Sequence, residues 1–193
     1  MSRRAVPEAN AAVRSTQGTP VSTAMGAAPL GAQPHRVWKF GDDIDTDALA
    51  PGAYMKLAID GIAPHCLEAV RAEFAAQVRP GDVIVAGANF GIGSSREQAV
   101  AALVHLGVRA VIAPSYSGLF FRNAFNLGLL LLTCARADAL RDGESVGIDL
   151  QALTVTSATG AVLPCEPIPD FLLDMVAAGG LLNQLRQRLG RRT

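Results

Sequence analysis

Two adjacent hydroxyls, a guanidinium and a carboxylate stand together at Ser94-Ser95-Arg96-Glu97, inside the string GANFGIGSSREQA that runs from Gly87 to Ala99. Apolar segments flank the string on both sides. A loop that leads from a buried strand into a helix N-terminus points unpaired backbone N–H groups at one spot. Gly91 and Gly93 let such a backbone bend sharply and approach a ligand closely. The position suits an anion, whether bound or formed during a reaction. Ser94 and Ser95 add hydroxyls to it, and Arg96 adds a planar fork that matches a carboxylate. A purely structural alternative is that Ser94 or Ser95 caps the helix, with Glu97 completing a capping-box-like pair.

The surrounding elements are read from period and punctuation. VIVAG, 83–87, is short, β-branched and without alternation, as expected of a buried strand. After the glycine loop, Val100, Leu103 and Val104 fall at helical spacing, with Gly107 as a C-terminal stop. RAVIAP is a second buried strand, LFFRNAFNLG a second helix and LLLLT a third strand. This βαβαβ run predicts a parallel sheet with right-handed crossovers. ESVGIDL and ALTVTSA alternate about a turn and predict an antiparallel hairpin. Upstream, RVWKF (36–40) reads as a strand and GDDIDTDALAPGAYMK as a polar loop. A helix is expected from about 64 to 78, with Asp60 as its cap and Leu67, Val70 and Phe74 on one face. Residues 168–178 predict a last helix. The fold class is α/β, a mixed sheet with a parallel βαβαβ segment and added antiparallel strands.

Composition bounds the function. Half of the 193 residues are apolar and 18% are charged, with 17 basic and 17 acidic side chains and a formal net charge of zero. That balance gives no field to steer nucleic acid or an anionic membrane, and no apolar run approaches the ~20 residues of a bilayer span. Cys66, Cys134 and Cys165 form no C-x-x-C pair, so neither a zinc site nor a disulfide framework is indicated; a reducing, cytoplasmic setting is expected. Residues 1–35 are rich in Ala, Gly, Pro, Ser and Thr and are expected to form a disordered extension. Residues 36–178 are expected to form the folded domain. Residues 179–193, with arginines and no acids in LLNQLRQRLGRRT, are expected to form a basic helix and tail. His35, His65 and His105 are scattered and read as structural or solvated.

A dinucleotide-binding reading competes for the glycines, because Gly87, Gly91 and Gly93 match G-x-x-x-G-x-G. It needs an acid after the next strand for the ribose; RAVIAPSYSG supplies none. The Tyr-x-x-x-Lys of short-chain dehydrogenases is also absent.

The run VIVAGANFGIGSSREQA, followed by AVIAPSYSGLFFRNAFNLGLLLL, resembles the small subunit of 3-isopropylmalate dehydratase, the equivalent of the aconitase swivel domain. GDDIDTDALAPGAYMK and PHCLEAVRAEFAAQVRPGDVIVAG are similar to the same family, so the resemblance spans about Trp38 to Ala177. It implies a swivelling β/β/α domain that closes over an active site on a separate large subunit. It also implies reversible dehydration and rehydration of a small hydroxy acid. No cofactor is then expected on this chain; a [4Fe–4S] cluster on the large-subunit partner acts as the Lewis acid. The resemblance assigns the base to Ser94, support of its oxyanion to Ser95 and a substrate carboxylate to Arg96, with Asn89, Gly91 and Gly93 shaping the active-site loop.

Tyr54-Met55-Lys56-Leu57 falls where related proteins carry a substrate-selecting loop. This makes Lys56 a candidate partner for a distal carboxylate, against the alternative of a solvated lysine. Asp43, Asp45 and Asp47 are spaced like the start of a calcium loop. Ala48 and Tyr54 replace its glycine and glutamate, so turn formation and capping of loop amides are expected instead. The chain departs from the family's usual strings at Ile92, Gln98 and Gly118, where a cysteine, a histidine and an arginine are usual. Those departures leave open a related subunit acting on a methylated malate, homoaconitate or a citrate-like acid, and a non-catalytic partner-binding subunit.

Overall fold

The strands are His35–Lys39 (β1), Val83–Val85 (β2), Ala110–Ala113 (β3), Leu130–Thr133 (β4), Ser145–Asp149 (β5), Thr154–Thr156 (β6) and Val162–Pro164 (β7). In the computed structural model, which describes residues 34–190, they form one seven-stranded sheet in the order β4-β3-β2-β1-β5-β6-β7. β1 to β4 are parallel, with Val37↔Val83↔Ala110↔Leu130 in register. β5 pairs antiparallel with β1, and β5, β6 and β7 continue antiparallel. The two halves differ for a physical reason. β2 and β3 are buried at every residue, as strands covered on both faces must be. β5 alternates exposed and buried, the mark of a strand with one wet face.

The helices are Thr46–Leu49 (α1), Ile59–Ile62 (α2), Phe74–Gln77 (α3), Glu97–His105 (α4), Gly118–Asn126 (α5), Asp170–Ala177 (α6) and Leu181–Gly190 (α7). α4 connects β2 to β3, and α5 connects β3 to β4. The α/β class and the parallel β2-α4-β3-α5-β4 run agree with expectation, as does the antiparallel β5–β6 hairpin. Because β1 to β4 are parallel, their carboxyl ends all lie along one edge of the sheet, where ligand loops collect in open α/β folds. Among the described residues no helix is long and apolar enough to cross a membrane.

Several local expectations change. β1 begins at His35, one residue inside the expected extension, of which residues 1–33 lie outside the described residues. The expected 64–78 helix is broken. A 3-10 turn covers Ala63–His65, and only Phe74–Gln77 is α-helical. Leu67 adopts φ 61° while its N–H donates to Ala48 O at 2.7 Å, so a tertiary bond overrides helix propensity. Leu67 and Phe74 are buried, but Val70 is 51% exposed. Asp60 sits within α2, where its Oδ1 accepts from Gly61 N at 2.9 Å, and so caps nothing at 64. The loop after β1 contains α1 and a 3-10 turn, Gly52–Tyr54. β7 was not expected.

Asp82, immediately before β2, fastens the sheet to its flank. Its Oδ2 accepts from Arg36 Nη2 at 2.6 Å, Arg36 Nε at 3.1 Å, Trp38 Nε1 at 2.8 Å and Arg79 N at 2.9 Å. The guanidinium groups of Arg36 and Arg71 both lie over the Trp38 ring, which meets Phe74 edge-on. Burial alone would raise the Asp82 pKa, but the Arg36, Trp38 and Arg79 donors outweigh it and hold the carboxyl below its ordinary 3.8. A lowered folded-state pKa contributes stability above the unfolded value, and that stability fades as pH falls through the folded value. Asp82→Asn is therefore expected to cost about 2–3 kcal/mol near neutrality. Thermal melts from pH 7 to pH 2 check this: the difference from wild type should shrink below about pH 4.

Candidate active site

The glycine loop is held from two sides. On one side lies the Asp-rich segment after β1: Asp42 Oδ1 accepts from Ala88 N at 2.7 Å, and Asp43 Oδ1 accepts from Asn89 Nδ2 at 2.9 Å. Gly91 N donates to Ile44 O at 2.7 Å, and Thr46 N donates to Ile92 O at 2.9 Å. On the other side lies the turn after β3. Asn89 N donates to Ser115 Oγ at 2.9 Å, Phe90 N to Ser115 O at 3.1 Å and Ser117 N to Phe90 O at 3.0 Å. Phe90 is fully buried and packs edge-on against Phe120, 5.2 Å between centroids.

Three loop residues take left-handed backbone, Asn89 (φ 61°), Gly91 (φ 76°) and Gly93 (φ 104°). Asn tolerates that region through its short polar side chain. At Gly91 space also decides, since a Cβ there would lie 2.2 Å from Phe120 Cγ. The bend turns the chain outward, so Ser94 and Ser95 are exposed while Phe90 stays in the core.

α4 starts at Glu97 with Arg96 as its N-cap and no side-chain cap. The structural alternative for the serines thus fails, because neither Ser94 nor Ser95 caps the helix. Within the described residues the backbone N–H groups of Ser94 to Gln98 find no acceptor. The arrangement can receive negative charge at an exposed hydroxyl. Arg96 lies beside it. Its Nη1 donates to Ala50 O at 2.9 Å and contacts Asp47 Oδ1, which also accepts from Gly52 N at 3.2 Å. The Arg96 hydrogen bond and charge hold the Asp47 carboxyl below its usual range.

Lys56 is exposed on a turn that is itself anchored. Tyr54 stacks on His65 at 3.5 Å, and His65 Nδ1 lies 2.6 Å from Glu68 Oε2. Through Arg96, Asp47 and Gly52 this turn and the glycine loop share one scaffold. The acidic run performs the work expected of it: Asp45 caps α1 through Ala48 N at 2.7 Å, and Asp43 and Asp47 fix loop groups.

The structure thus brings Asn89, Gly91, Gly93, Ser94, Ser95 and Arg96 to the carboxyl edge of β2 and places Lys56 on the adjoining turn. Sequence reading missed Asp42 and Ser115. A signal for Asp42 existed, because Gly87 leaves no room for a Cβ (1.9 Å from Asp42 Oδ1) and a glycine at a strand end asks what approaches it. Gly118 begins α5 with open space around it. Tyr116 turns inward, its Oη 2.9 Å from both Val111 O and Leu132 O.

The profile of the aconitase C-terminal domain matches residues 44–137, from the Asp-rich segment to just beyond β4. Fold and loop together define the swivel-domain class of aconitase-type proteins. Among curated relatives, the methanogen homoaconitase small subunit of Methanothermobacter thermautotrophicus is 49% identical over 77% of this chain and 87% of its own length. The 3-isopropylmalate dehydratase small subunit 1 of Archaeoglobus fulgidus is 46% identical over 79% of this chain and 98% of its own length. The crystal structure of 3-isopropylmalate dehydratase from Methanocaldococcus jannaschii superposes with TM-score 0.78 at 42% identity, covering 82% of this chain and 96% of that one. The chain belongs to the family of aconitase-type hydro-lyase small subunits.

Proposed function

We propose that this chain is the small subunit of 3-isopropylmalate dehydratase. In that reading it works with a large subunit to interconvert 2-isopropylmalate and 3-isopropylmalate by dehydration and rehydration, in the cytoplasm. The observation that carries the proposal is Ser94, exposed at the tip of a rigid bend beside uncommitted helix N-terminal N–H groups. A serine hydroxyl is a poor base in water, so its alkoxide needs such a setting. Ser94 Oγ takes the proton from the carbon next to a substrate carboxylate, Ser95 supports the oxyanion, and Arg96 turns its remaining N–H groups to that carboxylate. Among the described residues no group of three His, Cys, Asp or Glu side chains is placed to hold a metal, so they do not fit a cluster of their own. The [4Fe–4S] cluster is assigned to the large subunit, where it supplies Lewis acidity to the departing hydroxyl.

Lys56 favours a second reading, a substrate with an extra carboxylate such as homoaconitate. Both readings are tested by purifying the chain with its large subunit and assaying a panel of hydroxy acids. Turnover of 3-isopropylmalate supports the first reading. A complex that forms but acts on no hydroxy acid contradicts both. In the active complex, Lys56→Ala is expected to change kcat/KM for 3-isopropylmalate by less than about threefold. It should lower any tricarboxylate activity about tenfold, the worth of one charge-assisted contact.

A further inference from the structure

Two thiols lie where the ends of the two outermost strands of the sheet, β4 and β7, come together. Cys134 follows β4 and is fully buried; Cys165 follows β7 and is half-buried. Their backbones are fixed on every side. Glu166 N donates to Thr133 O at 2.8 Å, Cys165 N to Leu153 O at 2.8 Å and Cys134 N to Ala113 O at 2.9 Å. The Glu166–Thr133 bond sets Cys165 and Cys134 alongside each other, close enough for each thiol to shift the other's titration. The Arg136 guanidinium lies near, with Asp138 opposing it and the Tyr116 phenol on the inner side. Neither thiol has a part in the site described above. Cys66, the remaining cysteine, is buried alone in the core, where burial pushes its thiol up.

We propose that Cys134 and Cys165 form a reversible dithiol–disulfide couple, oxidised by hydroperoxides, that staples the end of β4 to the segment entering α6. The neighbouring Cys165 draws the Cys134 thiol down to about 7, while the Cys165 thiol is pushed up. The pair therefore carries thiolate, the reactive form, at neutral pH. The Cys134 thiolate takes the proton of Cys165, the one sulfur of the two that solvent reaches, as Cys165 reacts. Its sulfur attacks the peroxide: an S–O bond forms, the O–O bond breaks, and the leaving hydroxide or alkoxide takes the proton of Cys134. The Cys134 thiolate then attacks the sulfenic sulfur. The S–S bond forms, the S–O bond breaks, and hydroxide leaves as water with a proton from solvent. Two sulfurs are oxidised by one electron each and one peroxide is reduced.

The full-length chain, treated with hydrogen peroxide and then alkylated, tests this by peptide mapping. The expected result is a linked Cys134–Cys165 peptide that dithiothreitol releases, with Cys66 unmodified and with no link in Cys134→Ser or Cys165→Ser. The oxidised chain should melt roughly 5–10 °C higher, since the bridge closes a loop of some 30 residues. Peroxide treatment that leaves both cysteines alkylatable, or that drives one to sulfinic acid without a link, overturns the proposal. So does a link that involves Cys66.

Discussion

Ser94→Ala is expected to lower kcat of the complex with the large subunit by roughly 10²–10⁴-fold, the usual worth of a positioned general base, the role proposed for Ser94. KM should move little, because in the proposed mechanism Arg96 holds the substrate carboxylate and the hydroxyl is needed only as the proton leaves. Folding and assembly should be unchanged, since Ser94 is exposed and caps nothing. Steady-state kinetics on the purified complex, with a melt and a gel-filtration profile of the variant, separate these effects. Ser95→Ala should have the smaller effect, because its hydroxyl only supports the oxyanion. Wild-type turnover in Ser94→Ala would remove the base from this chain.

Gly91→Ala should be the most disruptive single methyl in the loop. The new Cβ would overlap Phe120, 2.2 Å from Cγ and 2.4 Å from Cβ, on a backbone with φ 76°. Phe120 cannot swing aside, because it is buried against Phe90. Overpacking and left-handed strain together cost about 2–4 kcal/mol, a fall in Tm of roughly 5–15 °C for a domain of this size. Activity should fall further than stability, because Gly91 N holds the bend to Ile44 O at 2.7 Å. Gly118→Ala is the control. Its Cβ meets nothing within 4 Å, so it should leave Tm within about 2 °C.

The parallel half of the sheet is legible in the sequence because its strands are short, uniformly apolar and separated by helices that end at glycine. VIV, AVIA and LLLT need no tertiary information to be read. The 64–78 segment fails for the opposite reason: its outcome rests on the Leu67 N–H, which bonds to Ala48 rather than to its own helix. β7 is three residues long and pairs only at an edge, too short for period-2 alternation to show. The reach of Asp42 and Ser115 into the glycine loop spans 46 and 26 residues of sequence; spacing carries no signal of such contacts. The glycines at 87 and 91 mark where something approaches without saying what it is.

Isotope exchange in D₂O reads the proton abstraction proposed for Ser94 itself. With the assembled complex and 3-isopropylmalate, the wild type is expected to lose the substrate C–H hydrogen to solvent as the unsaturated acid forms. Ser94→Ala in the same complex should do neither above background. Exchange at the wild-type rate in Ser94→Ala would show that another group takes the proton and that Ser94 is not the base.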